Sequence, residues 1–280
     1  MYRKIIVFIV SHFCCLIISN AQDSIPVKPE HLFGIYTGYS HNIIRDEVAS
    51  PLLYKGGSSP VLIEYNCIRS ISRHDVRIFF GNSKLGSSNI DKSGFNTNYA
   101  DNLNILFCYS YSRNAKIFQG FNMNCSWGGT LLSVFNYRSL YLNGNNSLPF
   151  FEQINSVGVN FLIEKSVGSK KNDFTGLKIN LPFLAYATFN DRYNAVVSGS
   201  LRKYDLNKGV FGKVISNGEF VTFNKLFEFQ TELSYSKFLT GHIGLKLEHQ
   251  LHFYSIAHYR NLLYARYLTS QYLIGLIIKL

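Results

Sequence analysis

The sequence is short of charge, short of patterned cysteines and, past its N-terminus, without any long apolar run. Asp, Glu, Lys and Arg make up 16% of the 280 residues, where a soluble domain carries about a quarter. Phe (23) and Tyr (19) take up the difference. With 46% hydrophobic residues the chain has ample apolar surface to bury, which excludes disorder. After Gln22 every apolar stretch is broken within a few residues by Asn, Ser, Glu, Lys or Gly. Helical membrane spans, which need about 20 apolar residues, are thereby excluded. Past Cys14 and Cys15 only Cys67, Cys108 and Cys125 remain, with no CxxC and no Cys/His zinc spacing, so no metal is expected and the thiols are expected to be free and buried. There is no Walker loop, dinucleotide fingerprint or HExxH helix, and no cofactor is expected. The formal net charge is +11, but it is scattered through turns and loops. A nucleic-acid partner is not expected; acidic lipid head groups or sugars suit such a surface better.

What is present begins with the leader MYRKIIVFIVSHFCCLIISNAQD. Arg3 and Lys4 precede an apolar run from Ile5 to Ile18, and Ser19-Asn20-Ala21 precede Gln22. This is the layout of a secretory signal cleaved between Ala21 and Gln22, its apolar run being shorter than the roughly 20 residues of a spanning helix. His12 and Phe13 stand where small residues would precede a lipid-modified cysteine.

From residue 31 onward the pattern has period two, in segments of about ten residues, apolar on one parity and small or polar on the other. HLFGIYTGYS sets Phe33, Ile35 and Tyr39 against Gly34, Tyr36, Gly38 and Ser40. LFEFQTELSYS sets Phe227, Phe229, Leu233 and Tyr235 against Glu228, Gln230, Glu232 and Ser234. Ten such segments alternate with connections that read as short (near 70–73, 113–114, 167–172 and 237–241) and long (41–60, 83–101, 128–153, 188–218 and 255–263). A soluble sandwich would not place so many Glu and Lys on the small-residue face. A closed barrel in a membrane turns that face inward and satisfies every backbone group that lipid cannot. The expected fold is all-β: a closed, up-and-down antiparallel transmembrane β-barrel of about ten strands, eight or twelve being alternatives, with long extracellular loops. A signal peptide over 1–21, a short periplasmic segment over 22–30 and the barrel over 31–280 complete the organisation. Parity lines the lumen with Glu64, Asn66, Arg77, Asn104, Asn122, Asn124, Asn160, Glu164, Lys178, Asn180, Glu228, Gln230, Glu232, Lys246, Glu248 and Gln250. Barrels of about eight strands are filled by their own side chains, whereas open pores need around sixteen. A salt-bridged, hydrogen-bonded interior is therefore expected.

At the chain end Tyr272, Ile274, Leu276, Ile278 and Leu280 alternate to a hydrophobic last residue. This resembles the terminal strand of outer-membrane proteins, with Leu280 where that family usually has Phe. The stretch from GEFVTFNKLFEFQTELSYS onward, with NAQ at the cleavage site, is similar to uncharacterised outer-membrane β-barrel proteins of Gram-negative bacteria. The resemblance implies residence in the outer membrane, contact with its lipid and recognition of the last strand by the barrel-assembly machinery. It supplies no catalytic or ligand motif.

Chemistry is sparsely signalled. Barrel lipid hydrolases carry His and Ser two apart on one strand face, and no mature histidine here is followed by such a serine. His249 faces outward, where antiparallel pairing can bring Ser270 or Tyr272 within reach, without an orienting acid. The aspartates (46, 75, 91, 101, 173, 191 and 205) form no Asp-x-Asp pair of the kind an omptin protease would use. No catalytic residue is assigned. The segment 188–218 carries Arg192, Arg202, Lys203, Lys208 and Lys213 against Asp191 and Asp205, which makes it a candidate for an anionic glycan or lipid. The expected role is structural or surface-binding and non-enzymatic, with a narrow solute channel and a lipid-active hydrolase as alternatives.

Overall fold

The structure is a computed structural model that describes residues 29–47, 50–87, 98–115, 123–142, 145–167, 173–189, 218–258 and 263–280. These form twelve strand segments: β1 (Glu30–Asp46), β2 (Ser50–Ser58), β3 (Val61–Ile68), β4 (Ser72–Ser87), β5 (Tyr99–Ala115), β6 (Met123–Leu142), β7 (Asn145–Val167), β8 (Asp173–Phe189), β9 (Glu219–Thr222), β10 (Leu226–Phe238), β11 (Ile243–His258) and β12 (Leu263–Lys279). β2 and β3 both pair with β1 and β4, one after the other along the same stave. The break falls at Ser59-Pro60, where proline has no N–H to give the ladder. β9 and β10 likewise share the edge of β8. Twelve segments thus make ten staves, all antiparallel, and the ring closes where β1 pairs β12 from Leu32↔Lys279 to Asp46↔Ala265.

Glycine makes room for a buried aromatic ring on the inner wall. The buried Tyr36 ring lies across Gly34 and Gly275, and a Cβ on Gly275 would collide with the Ile35 carbonyl and with that ring. Pro182 stands inside β8. It is accommodated by a bulge: Gly158 faces Pro182 while Val157 faces Leu184, leaving Phe183 unopposed. A bulge is where a sheet tolerates a missing donor.

The expected alternation of short and long connections needs correction. β1 ends at Asp46 and β2 begins at Ser50; β6 ends at Leu142 and β7 begins at Asn145. The stretches 41–60 and 128–153, expected as loops, are mostly strand. A membrane stave needs ~9–11 residues, whereas β6 and β7 have 20 and 23, so the staves overhang the bilayer at that end. The signal cleavage pair Ala21 and Gln22, Asn122 and nearly all of segment 188–218 lie outside the described residues. Cys67, Cys108 and Cys125 are free; Cys108 is buried, while Cys67 and Cys125 are half-buried on the outer face.

The outer wall carries an apolar band bordered by aromatic residues at both ends. Ile35, Phe107, Phe161, Leu247 and Leu276 belong to the band. At the short-turn end stand Trp127, Tyr65 bonded to His31 (2.7 Å) and Tyr109 bonded to His74 (2.9 Å). At the other end Tyr39 and Tyr137 are exposed at the level of Asn82. A band with two aromatic girdles is the lipid-facing signature of a membrane barrel. Above it the pattern inverts on the same strands. On β7, outward Val157, Val159 and Phe161 give way to Gln153 and Asn155, with Ile154 fully buried between them. On β4, outward Val76, Ile78 and Phe80 give way to Asn82 and Lys84, with Leu85 buried. Apolar-out, polar-in becomes polar-out, apolar-in, marking the level at which lipid ends and water begins.

Candidate functional site: the barrel interior

Inward parity on ten staves brings residues distant in sequence into one charged cluster in the half nearer the short turns. The Arg77 guanidinium on β4 donates to Glu232 on β10 and to Glu248 on β11, with Glu64 on β3 3.9 Å from its Nε. Lys246 Nζ lies 2.9 Å from Glu64, 3.4 Å from Glu232 and 2.7 Å from Glu248. Tyr36 donates its hydroxyl proton to Glu64 at 2.6 Å, and Lys178 pairs with Asp75. Two cations shared among three carboxylates put every carboxylate against a cation, with one negative charge in excess, and such contacts are the condition for burying charge.

The other expected lumen residues occupy distinct levels. Asn66 accepts from Arg73, whose guanidinium also reaches Glu164 at 2.5 Å at the mouth, while Asn124 is exposed at the same mouth. Asn160 donates to the Gly129 and Tyr111 carbonyls, and Asn180 donates to Gln230 at 2.9 Å. Gln250 donates to Glu248. Glu228 accepts from Ser156 and contacts His252, both at 3.0 Å, and Asn104 donates to Tyr267 at 2.6 Å.

Sequence reasoning missed a second buried polar group in the overhang. Arg138 contacts Asp46 (3.1 Å) and Glu152 (3.2 Å); Asn136 donates to Glu152 and Tyr254, and Tyr254 stacks on Tyr267 at 5.3 Å. Asp46, Arg138 and Glu152 fell in stretches expected as loops, and continuing the strand parity through them would have found them. Around this group the interior is apolar: Ile44, Leu85, Leu140, Ile154, Val221 and Ile256 are all buried.

Among the described residues the interior is therefore filled for most of its length. At the short-turn mouth a cavity of about 260 Å³ stops on the charged cluster, lined by Leu32, Arg73, Phe174, Lys178, Glu232 and Lys246 among others. Among the described residues no group of His, Cys, Asp and Glu is arranged to hold a metal ion. On the outer wall His249 Nε2 lies 3.0 Å from Ser270 Oγ, and its ring packs on Tyr272 at 4.6 Å. No carboxylate contacts His249 among the described residues.

No family model matches the chain, nor does any curated protein sequence. Among solved structures, the outer membrane protease OmpT from Escherichia coli is similar at a TM-score of 0.53 and 8% identity, over 92% of this chain and 99% of that one. The fold is that of an outer-membrane β-barrel. The translocator domain of the autotransporter NalP from Neisseria meningitidis (TM-score 0.36, 9% identity, 96% and 94% coverage) and Neisserial surface protein A (0.33, 10%, 89% and 97%) are more loosely similar. At these identities the likeness concerns the fold, and the activity in OmpT's name stays with OmpT.

Proposed function

We propose that this chain is an integral outer-membrane barrel of a Gram-negative bacterium whose lumen is closed, and that its role is structural or surface-binding rather than transport. One observation carries the reading: among the described residues the interior is occupied by the Arg77–Lys246 cluster at membrane depth and by an apolar layer in the overhang, a filling that supports a lumen closed to solutes. The reading includes export by the leader over 1–21, assembly through the outward alternation of Tyr272, Ile274, Leu276, Ile278 and Leu280, and lipid contact along the apolar band. It includes no enzymatic activity, and it leaves segment 188–218 as the candidate contact for an anionic glycan or lipid.

Reconstitution into planar bilayers tests it. The closed barrel gives no discrete openings under applied voltage. Openings whose size changes in Glu228→Gln or Lys246→Met would transfer the chain to the channel reading. The His249–Ser270 contact supports a second reading, a lipid-active hydrolase. Release of labelled fatty acid from phospholipid by refolded protein, abolished in His249→Ala, would establish it.

A further inference from the structure

Four cations stand together on the outer wall, at the level where the apolar band ends. Arg266 on β12, Arg45 on β1, Lys55 on β2 and Lys84 on β4 occupy four adjacent staves, and all four side chains are exposed and outward. Arg45 and Arg266 are direct cross-strand partners. Lys55 faces Ile43, two positions from Arg45, and on its other side faces Gly86, two positions from Lys84. Such diagonal neighbours lie within about 7–8 Å at the backbone, well within the span of these side chains.

Like charges directly opposite each other destabilise a sheet, so the arrangement calls for a counter-charge. Two acids share the arc: Glu47, 3.3 Å from Arg45, and Asp101, the cross-strand partner of Lys84. Among the described residues they leave a double positive charge. Arg266 is held against the Tyr264 ring (5.1 Å) and Lys84 over the Tyr99 ring (4.4 Å), which fixes both heads against the wall. On the same staves Ile43 and Leu268 stand beside the cations, and Tyr39, Tyr272, Phe80 and Val61 lie below them, with His41, Ser270 and Asn82 between. On β5 to β8 the same level shows Tyr99, Tyr137, Ser139, Gln153 and Asn155, with no Lys or Arg among the described outward residues there.

A basic arc above a narrow polar rung and an apolar wall, on one side of the barrel only among the described residues, matches an amphiphile with anionic groups on its head and acyl chains beneath. We infer that Arg45, Lys55, Lys84 and Arg266 form a binding site for the phosphorylated glycolipid of the outer leaflet, its sugar phosphates on the four cations and its acyl chains along β12, β1, β3 and β4. Phosphate suits paired guanidinium groups because it accepts several charge-assisted hydrogen bonds at once. The site rests on the reading of the chain as an outer-membrane barrel with its overhang toward the cell exterior.

The test uses the full mature chain refolded in zwitterionic detergent and titrated with diphosphoryl lipid A, dephosphorylated lipid A and phosphatidylglycerol. Thermal unfolding is followed by the gel-mobility shift of the heated barrel. Diphosphoryl lipid A is expected to raise the midpoint and to half-saturate at least tenfold below either other lipid. The fourfold variant R45S/K55S/K84S/R266S is expected to lose that preference, and R45S and K55S singly to weaken it should the fourfold variant not refold. Equal response to lipid A with and without phosphate, equal response to phosphatidylglycerol, or an unchanged preference in the variants overturns the site. If the wild type forms no heat-modifiable barrel in detergent, the barrel reading itself fails, and that result is separate from a folded barrel showing no preference.

Discussion

The two halves of this barrel solve opposite solvation problems with the same strands. Where lipid surrounds the wall, the outer face is apolar and the interior holds Arg77, Lys246, Lys178 and their carboxylates. Where water surrounds it, outward Asn82, Lys84, Asn155 and Gln153 enclose Leu85, Ile154, Ile44 and Ile256. The overhang is built like a soluble barrel on an inverted one. The hydrophobic effect supplies a core only where water is the alternative. At membrane depth, apolar side chains gain nothing by pointing inward rather than toward acyl tails, and ion pairs and hydrogen bonds fill the interior instead.

Mutations can break this contrast in either half. Arg77→Ala is expected to have the largest effect: it leaves Glu232 and Glu248 short of a partner, and breaking a buried pair costs about 3–5 kcal/mol. Urea titration of the barrel in lipid vesicles measures it, and a loss under about 1 kcal/mol would deny the cluster a structural role. Leu247→Lys, on the lipid face, should cost about 2–4 kcal/mol near mid-bilayer by the same titration. Ile154→Val removes one methylene from the overhang core and should cost about 0.5–1.5 kcal/mol. Asn155→Leu, adjacent in sequence but outward in the overhang, should change stability by no more than about 0.5 kcal/mol. Were Asn155 embedded in lipid instead, that change would stabilise the barrel clearly.

The contrast also explains what was legible in the sequence. Period-two alternation fixed the wall at membrane depth, because there only one parity is apolar: Phe33, Ile35 and Tyr39 outward, Val157 and Phe161 outward. In the overhang that signal is diluted. Ile43 and Ile44 are adjacent apolar residues on opposite faces of β1, so 41–60 read as a loop although it is strand up to Asp46 and again from Ser50 to Ser58. On β6 the pair Gly128-Gly129 interrupts the alternation, and 130–142 beyond it was left within a connection. Parity assigned Arg77, Glu232 and Glu248 to the interior but could not pair them. Arg77 and Glu232 are 155 residues apart, and strand register together with barrel closure decides which inward residues share a level. Pro182 shows the same limit: proline has no N–H to give a ladder, but the compensating bulge depends on Gly158 of the neighbouring stave.

The single tryptophan offers the most direct test. Trp127 lies on the outer face, 60% exposed, beside the short-turn end of the apolar band. In vesicles whose acyl chains carry bromine near the head group, its fluorescence should be strongly quenched, while iodide in the surrounding water should quench it weakly. Strong quenching by iodide with none by the brominated lipid would mean that the apolar face is not in the membrane, and the account of both halves of the barrel would be contradicted.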